Sequence, residues 1–210
     1  MATERLTRKE RQARTRSSLI DSAGRVFSER GIQGASIDQV AEQAGFTKGA
    51  FYANFKSKEE LFLAMLDERF AERSAEIDRA VGPEGEPEEQ ARAAGLGFDR
   101  YVAADEEWER LFFEFAAYAA RNAEFRSELV TRYRGLRERI VAIMGRRAEE
   151  LGIEPPLPLD EIALMTFAMA NGAALERVLE PDEVPDDLYG KMLEIFFAGL
   201  RTMVDEPTTG

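Results

Sequence analysis

The sequence predicts an all-α protein of about nine helices, with a three-helix N-terminal head and a larger helical body. Three observations carry that prediction. Apolar residues recur at helical spacing along most of the chain, β-branched alternation is nowhere sustained, and Ser/Thr-x-x-Glu/Gln capping patterns and glycines punctuate the helical runs.

Leu19, Ala23 and Phe27, with Ile20 and Val26, form the apolar stripe of a first helix whose expected stop is Gly31. Ser36-Ile37-Asp38-Gln39 has capping-box form and opens a short second helix, about 37–44, ending at Gly45. Thr47 caps a third, about 48–53, anchored by Phe51 and Phe55. Ser57-Lys58-Glu59-Glu60 repeats the capping pattern and begins a long fourth helix with Leu61, Phe62, Met65, Leu66 and Phe70 at core spacing. The acidic Gly/Pro segment Gly82 to Pro87 then breaks the chain. Further helices are expected at about 88–103, 105–120 and 123–151, before the proline-rich stretch Glu154 to Pro158. Two more, about 159–179 and 186–204, flank Pro181 to Pro185. The expected organisation is a head at 1–58 with a basic arm, a body at 59–205 and a frayed tail at 206–210.

Composition narrows the chemistry. Among its 210 residues the chain has no cysteine and no histidine, which excludes a disulfide framework, a thiolate nucleophile, a Ser-His-Asp triad and imidazole or thiolate metal ligands. No metal or cofactor is expected, and an enzyme here would depend on carboxylates, Lys, Arg, Tyr or hydroxyls. The N-terminus is charged throughout and lacks the apolar core of a signal peptide. The longest nearly apolar run, Ile162 to Leu175, is 14 residues and too short to span a bilayer. The expectation is a cytoplasmic protein with no membrane partner.

A net charge of −12 would by itself disfavour a polyanionic partner. The average conceals a division: residues 1–58 carry 11 Lys+Arg against 6 Asp+Glu, or +5, and residues 59–210 carry 17 against 34, or −17. Arg5, Arg8, Lys9, Arg11, Arg14 and Arg16 crowd the first 16 residues.

Within that basic head, Ser36 to Phe55 reads as two short helices joined by the turn Ala44-Gly45-Phe46, the arrangement that sets a recognition helix in the DNA major groove. Gly45 supplies the turn, and small Gly49 and Ala50 allow close approach to bases. Thr47 and Lys48 sit at a helix start whose N–H groups favour phosphate. Tyr52 points outward, where its hydroxyl can bond a phosphate oxygen. Lys56 and Lys58 are placed for charge neutralisation. The same pattern also occurs as plain packing in all-α proteins.

Thr15-Arg16, Leu19-Ile20, Ala23, Phe27, Gly31, Ser36-Ile37-x-x-Val-Ala and Ala44-Gly45-Phe46-Thr47-Lys48-Gly49-Ala50-Phe51-Tyr52-x-x-Phe55-x-Ser57-Lys58-Glu59-Glu60-Leu61 resemble the N-terminal domain of the tetracycline-repressor (TetR) family of transcriptional regulators. The resemblance covers about residues 10–62; the rest is similar in architecture only. It implies a homodimeric, ligand-responsive protein, most often a repressor, on a palindromic double-stranded operator. It further implies DNA contacts from Thr47, Lys48, Gly49 and Tyr52, with Ser36 and Lys58 near phosphates. Ala53 and Asn54 stand where relatives often carry an aromatic residue or histidine; Asn54 either reads adenine or faces solvent.

In the body, residues 105–120 place Trp108, Leu111, Phe112, Phe115 and Tyr118 on one face, with Phe113 nearly opposite, the mark of a buried helix. These aromatics, with Tyr101, Phe125, Phe167, Met169 and Asn171, either fill a core or line a small-molecule cavity. Glu114, at the stripe's edge, either reads a cationic ligand or pairs with an arginine on a neighbouring helix. The expected ligand set is Tyr101, Trp108, Phe112, Glu114, Phe115, Tyr118, Phe167 and Asn171. The acidity of the body suggests a cationic or neutral lipophilic effector. Helices 159–179 and 186–204 carry more apolar surface than one covered face needs, which predicts a homodimer seam. Two other functions stay open: a DNA-binding adaptor without a small-molecule response, and an all-α carrier or enzyme using carboxylates.

Overall fold

The structure is a computed structural model describing residues 7–81 and 85–205. The tail expected at 206–210, the first six residues of the basic arm and residues 82–84 of the expected break lie outside the described residues. Among those described there are nine helices and no strand: α1 Arg8–Gly34, α2 Ile37–Gln43, α3 Lys48–Tyr52, α4 Lys58–Ala80, α5 Pro87–Ala104, α6 Glu106–Arg121, α7 Ala123–Leu151, α8 Leu159–Leu179 and α9 Leu188–Asp205.

The first helix does not stop at Gly31. It kinks there, with Gly31 at φ 67°, and resumes to Gly34. A left-handed backbone costs glycine little, so the expected stop signal acts here as a bend. At its other end Thr7 and Glu10 form a reciprocal capping box, so Arg8, Lys9, Arg11 and Arg14 stand on exposed helix.

The chain forms two compact units, and both draw on distant segments. The first contains the residues up to Arg69 together with Arg110–Leu129; the second contains Phe70–Glu109 and the residues from Val130 onward. The expected boundary at 58/59 follows the local motif, but the first unit also takes eleven residues of α4 beyond it and the segment 110–129, because side chains there complete its core. Leu19, Ala23, Phe27, Phe51, Phe55, Leu61, Phe62 and Phe115 are all fully buried. The Phe115 ring stacks on Phe62 at 3.4 Å between centres, and Phe27 meets Phe115 edge-on at 5.8 Å.

In the second unit α5 and α9 cross with their backbones in contact: a Cβ added at Gly95 would lie 2.6 Å from the Cα of Gly190. At the same crossing buried Asp99 of α5 accepts hydrogen bonds from the backbone N–H groups of Tyr189, at 3.2 Å, and Gly190, at 2.9 Å. These belong to the first turn of α9, whose donors have no partner within their own helix. Burial pushes the Asp99 carboxyl pKa up, and the two N–H bonds oppose that shift. One apolar cluster joins Ala91, Ala173, Tyr189 and Leu193; a second joins Leu136, Ile140 and Ala163. Where α8 ends, the nearly buried Arg177 donates to the Pro185 carbonyl at 2.9 Å and pairs with Asp186 at 3.5 Å, bracing the turn into α9.

Helix α8 holds the 14-residue apolar run within 21 residues and, by length and composition alone, could cross a membrane. Here it sets Ile162, Ala163, Thr166, Ala173 and Ala174 into the second unit. Leu164, Leu175 and Leu179 of α8 and Ile195 and Met203 of α9 are left exposed, Leu179 at 64% and Ile195 at 73%.

Gly95→Ala should cost about 1–3 kcal/mol through forced separation of α5 and α9, lowering the thermal midpoint by roughly 2–4 °C per kcal/mol. Gly135→Ala on α7, where an added Cβ meets nothing within 4 Å, is the control and should leave the midpoint unchanged or raise it. Equal midpoints for the two variants by circular dichroism would contradict the crossing.

Candidate nucleic-acid interface and internal cavity

The candidate interface is built by caps. Ser36 Oγ accepts from Gln39 N at 3.2 Å while Gln39 Oε1 accepts from Ser36 N at 2.9 Å, which fixes the start of α2. Gly45, at φ 74°, ends it: its N–H bonds the Glu42 carbonyl at 2.9 Å and the next N–H, of Phe46, bonds Ala41 at 2.8 Å. This paired closure satisfies the helix's last carbonyls and turns the chain sharply. Thr47 then caps α3, its Oγ1 accepting from Ala50 N at 3.2 Å. Phe51 is buried beneath the five-residue α3, in edge contact with Tyr52 at 5.6 Å.

Thr47, Lys48, Gly49, Tyr52 and Lys56 are exposed together at this face. Tyr52 is 52% exposed. Lys48 Nζ rests on Asp38 Oδ2 at 2.9 Å, and that hydrogen bond raises its pKa. Both partners are more than half exposed, so the pair is weak enough for a phosphate to replace it.

Two expected contacts are placed otherwise. Asn54 turns its amide back to donate to the Ala50 carbonyl at 2.8 Å, closing α3 instead of projecting from it. Lys58, half-buried, donates its ammonium to the carbonyls of Ile32 and of Ala35, the latter at 3.2 Å. Its charge ties the α1–α2 connection to the start of α4 and is turned away from solvent. A residue outside the expected set also matters: Arg16 lies over the Phe55 ring at 4.3 Å and donates to the Asn54 carbonyl at 3.4 Å, pinning α1 to the end of α3. Its place one helical turn before Leu19–Ile20 was visible in the sequence; its partners were not.

Glu114 is exposed rather than buried, and its partner is backbone instead of arginine. Its Oε1 accepts from Ile32 N at 2.7 Å. That N–H is freed by the Gly31 kink, and a Cβ at Gly31 would sit 2.7 Å from the same oxygen. Lys58 and Glu114 thus hold the two polar ends of one peptide residue, Ile32.

The second unit holds a partly open cavity of about 300 Å³ lined from α4, α5, α7, α8, α9 and the Ile153 to Pro156 stretch. None of the eight residues expected to line a ligand site lines it. Phe112, Glu114, Phe115 and Tyr118 belong to the first unit. Phe115 fills that core, and Tyr118 donates to Glu59 Oε1 at 3.3 Å. In the second unit Trp108 is buried, Tyr101 half-buried, Phe167 edge-on to Tyr133 at 5.9 Å, and Asn171 accepts from the Tyr133 hydroxyl at 3.4 Å. Burial raises the Tyr133 pKa. The cavity wall comes instead from stripes such as Ile140, Met144, Arg147 and Leu151 on α7 and Tyr189, Leu193, Phe197 and Leu200 on α9. Their helical spacing was legible, but spacing does not tell a wall from a core.

The sequence pattern of bacterial regulatory proteins of the tetR family matches residues 19–65, and that of the C-terminal region of BetI-type transcriptional repressors matches residues 87–202, more than half of the chain. The chain is 34% identical over 110 residues to the transcriptional activator FasR of Mycolicibacterium smegmatis, a stretch covering 52% of this chain and 48% of FasR. It is 27% identical over 192 residues to the transcriptional regulator YfiR of Bacillus subtilis, covering 87% and 88% of the two. In fold it is similar to B. subtilis FadR, solved in complex with stearoyl-CoA, with a TM-score of 0.72 at 18% identity over 86% of this chain and 96% of that one.

Removing the Glu114 carboxylate should leave the Ile32 N–H without its acceptor. Glu114→Ala is expected to speed exchange of that amide at least about tenfold, and Glu114→Gln, which keeps an acceptor oxygen, to preserve most of its protection. Unchanged exchange in Glu114→Ala, read by NMR, would remove the contact.

Proposed function

The chain belongs to the tetR family of bacterial regulatory proteins, which are transcriptional regulators and not enzymes, and on that premise we propose that it is a cytoplasmic homodimeric repressor released from a palindromic operator by a small molecule. The observation that carries the DNA reading is the capped face of Thr47, Lys48, Gly49 and Tyr52 on a locally basic head. Caps at both ends of α2 and at the start of α3 fix the backbone that carries these side chains before DNA arrives, so little backbone ordering entropy is lost on docking. Acidic charge elsewhere on the chain repels the duplex from other faces and favours approach by the head.

The exposed apolar residues of α8 and α9 support a homodimer through that helix pair. A two-fold dimer would set its α3 helices about 34 Å apart, one turn of duplex, hence the palindrome. The largely apolar cavity supports the effector. α4, α6 and α7 are continuous from one unit into the other, so an effector that favours one helix arrangement in the second unit can bias the head. Coupling is reciprocal: operator DNA must weaken effector binding by the same factor that effector weakens DNA binding.

Fluorescence anisotropy with a fragment of the chain's own promoter and with random DNA, across potassium chloride concentrations, tests the reading. The promoter should bind at least about a thousandfold more tightly. Lys48→Ala should reduce the salt slope by about one for each phosphate lost, and Tyr52→Phe should weaken binding roughly fivefold. Equal affinity for both DNAs at every salt concentration would reject specific regulation.

A further inference from the structure

Resting on the reading of the cavity as an effector site, we propose that the effector is an amphipathic anion, an apolar body bearing a carboxylate or comparable oxyanion that the Arg73 guanidinium receives. The wall chemistry points that way. Among the described residues lining the cavity there is no carboxylate, yet three arginines line it, Arg73, Arg147 and Arg201. Most of the remaining wall is aliphatic. The chain's excess acidity, which suggested a cationic effector, is therefore spent outside this wall. A cation would find neither a counter-charge nor an aromatic cage, since the lining aromatics are Tyr189 and Phe197 alone.

The three arginines are spaced along α5. Arg201, half exposed, pairs with Glu86 at 3.2 Å and Glu88 at 2.6 Å. Arg147 donates to the Gly85 carbonyl at 2.9 Å and to Gln90 Oε1 at 3.1 Å. Arg73 donates to the Ala94 carbonyl at 2.8 Å, a turn further along, and lies over the Phe98 ring at 5.1 Å.

Arg147, 11% exposed, also pairs with Glu150 at 3.3 Å, and Arg73 is buried to nearly the same degree. Its side chain is 10% exposed, whereas Glu76, its ion-pair partner at 3.0 Å, is 39% exposed. The carboxylate is thus the more exposed of the two, and the guanidinium is largely withdrawn from water. A guanidinium has five donors in a fixed fork; two are used in the bonds just given. Burial lowers the Arg73 pKa from the ordinary arginine value, although the group stays charged at any physiological pH. A buried cation at an apolar cavity, whose carboxylate partner is the more exposed of the two, is completed by an oxyanion whose tail takes the aliphatic wall.

The test is calorimetric titration of the full chain with three probes of one tail length below their aggregation concentrations: dodecanoate, 1-dodecanol and dodecyltrimethylammonium. Dodecanoate should bind at least about tenfold more tightly than the ammonium. Arg73→Gln should remove most of that preference without changing dodecanol affinity, and Arg73→Lys should keep part of it. If the ammonium bound as tightly as dodecanoate, or if Arg73→Gln left dodecanoate affinity intact, the charge assignment would fall. The wild-type ranking decides the matter even if Arg73→Gln does not fold. Leu193→Trp, which fills the cavity, separates the two levels: probes that bind wild type and not this variant keep the effector site whatever their charge order. Absence of binding by all three probes would overturn both the effector site and the inference.

Discussion

Phe115 of α6 lies flat on Phe62 of α4, 3.4 Å between ring centres and 5° from parallel, and the reading head depends on this contact. Phe27 of α1 meets Phe115 edge-on, and Phe125 of α7 meets it at 5.7 Å. Segments more than fifty residues away thereby become part of the core that fixes the helix-turn-helix. Burial of an aromatic ring is worth about 1.5–3 kcal/mol, and single domains have only about 5–15 kcal/mol in all. The head therefore cannot be indifferent to where α6 stands. Glu114, one residue before Phe115, adds a polar hold on the Gly31 kink at the same place. Since α6 begins in the second unit and ends in the first, the helix that completes the reading head also belongs to the body that carries the cavity.

Much of this was legible because the signals are local. The caps at Ser36 and Thr47 and the glycine turn at Gly45 each involve residues within five positions of one another, so residue type and spacing state the geometry outright. What escaped was tertiary. Lys58 reads as a solvent cation beside other basic residues, and only the fold brings the Ile32 and Ala35 carbonyls to it. Glu114 reads as a buried acid in an aromatic stripe, and only the Gly31 kink supplies its backbone donor. The stripe 108–118 was correctly apolar on several sides, yet its apolarity serves two units, with Trp108 in one and Phe112 and Phe115 in the other. The cavity wall on α7 and α9 was hidden because a residue facing a void and a residue facing a neighbour have the same periodicity.

Charge follows the same division between average and place. The net −12 of the chain describes neither its head nor its cavity. The head is locally basic, and the cavity wall includes arginines whose acid partners lie outside the wall. A sum over the sequence predicts long-range repulsion, whereas recognition is decided within a few ångströms by which groups face the partner.

The central claim is that residues 110–129 unfold with α1–α3 and not with the rest of the chain. Native-state hydrogen exchange across a denaturant series measures it directly on the intact protein. The amides of Phe112, Phe115 and Ala119 should merge into one opening isotherm with those of Leu19, Ala23 and Phe27. A separate isotherm, in which these α6 amides open together with those of α5 and α9 while α1 stays protected, would contradict the account.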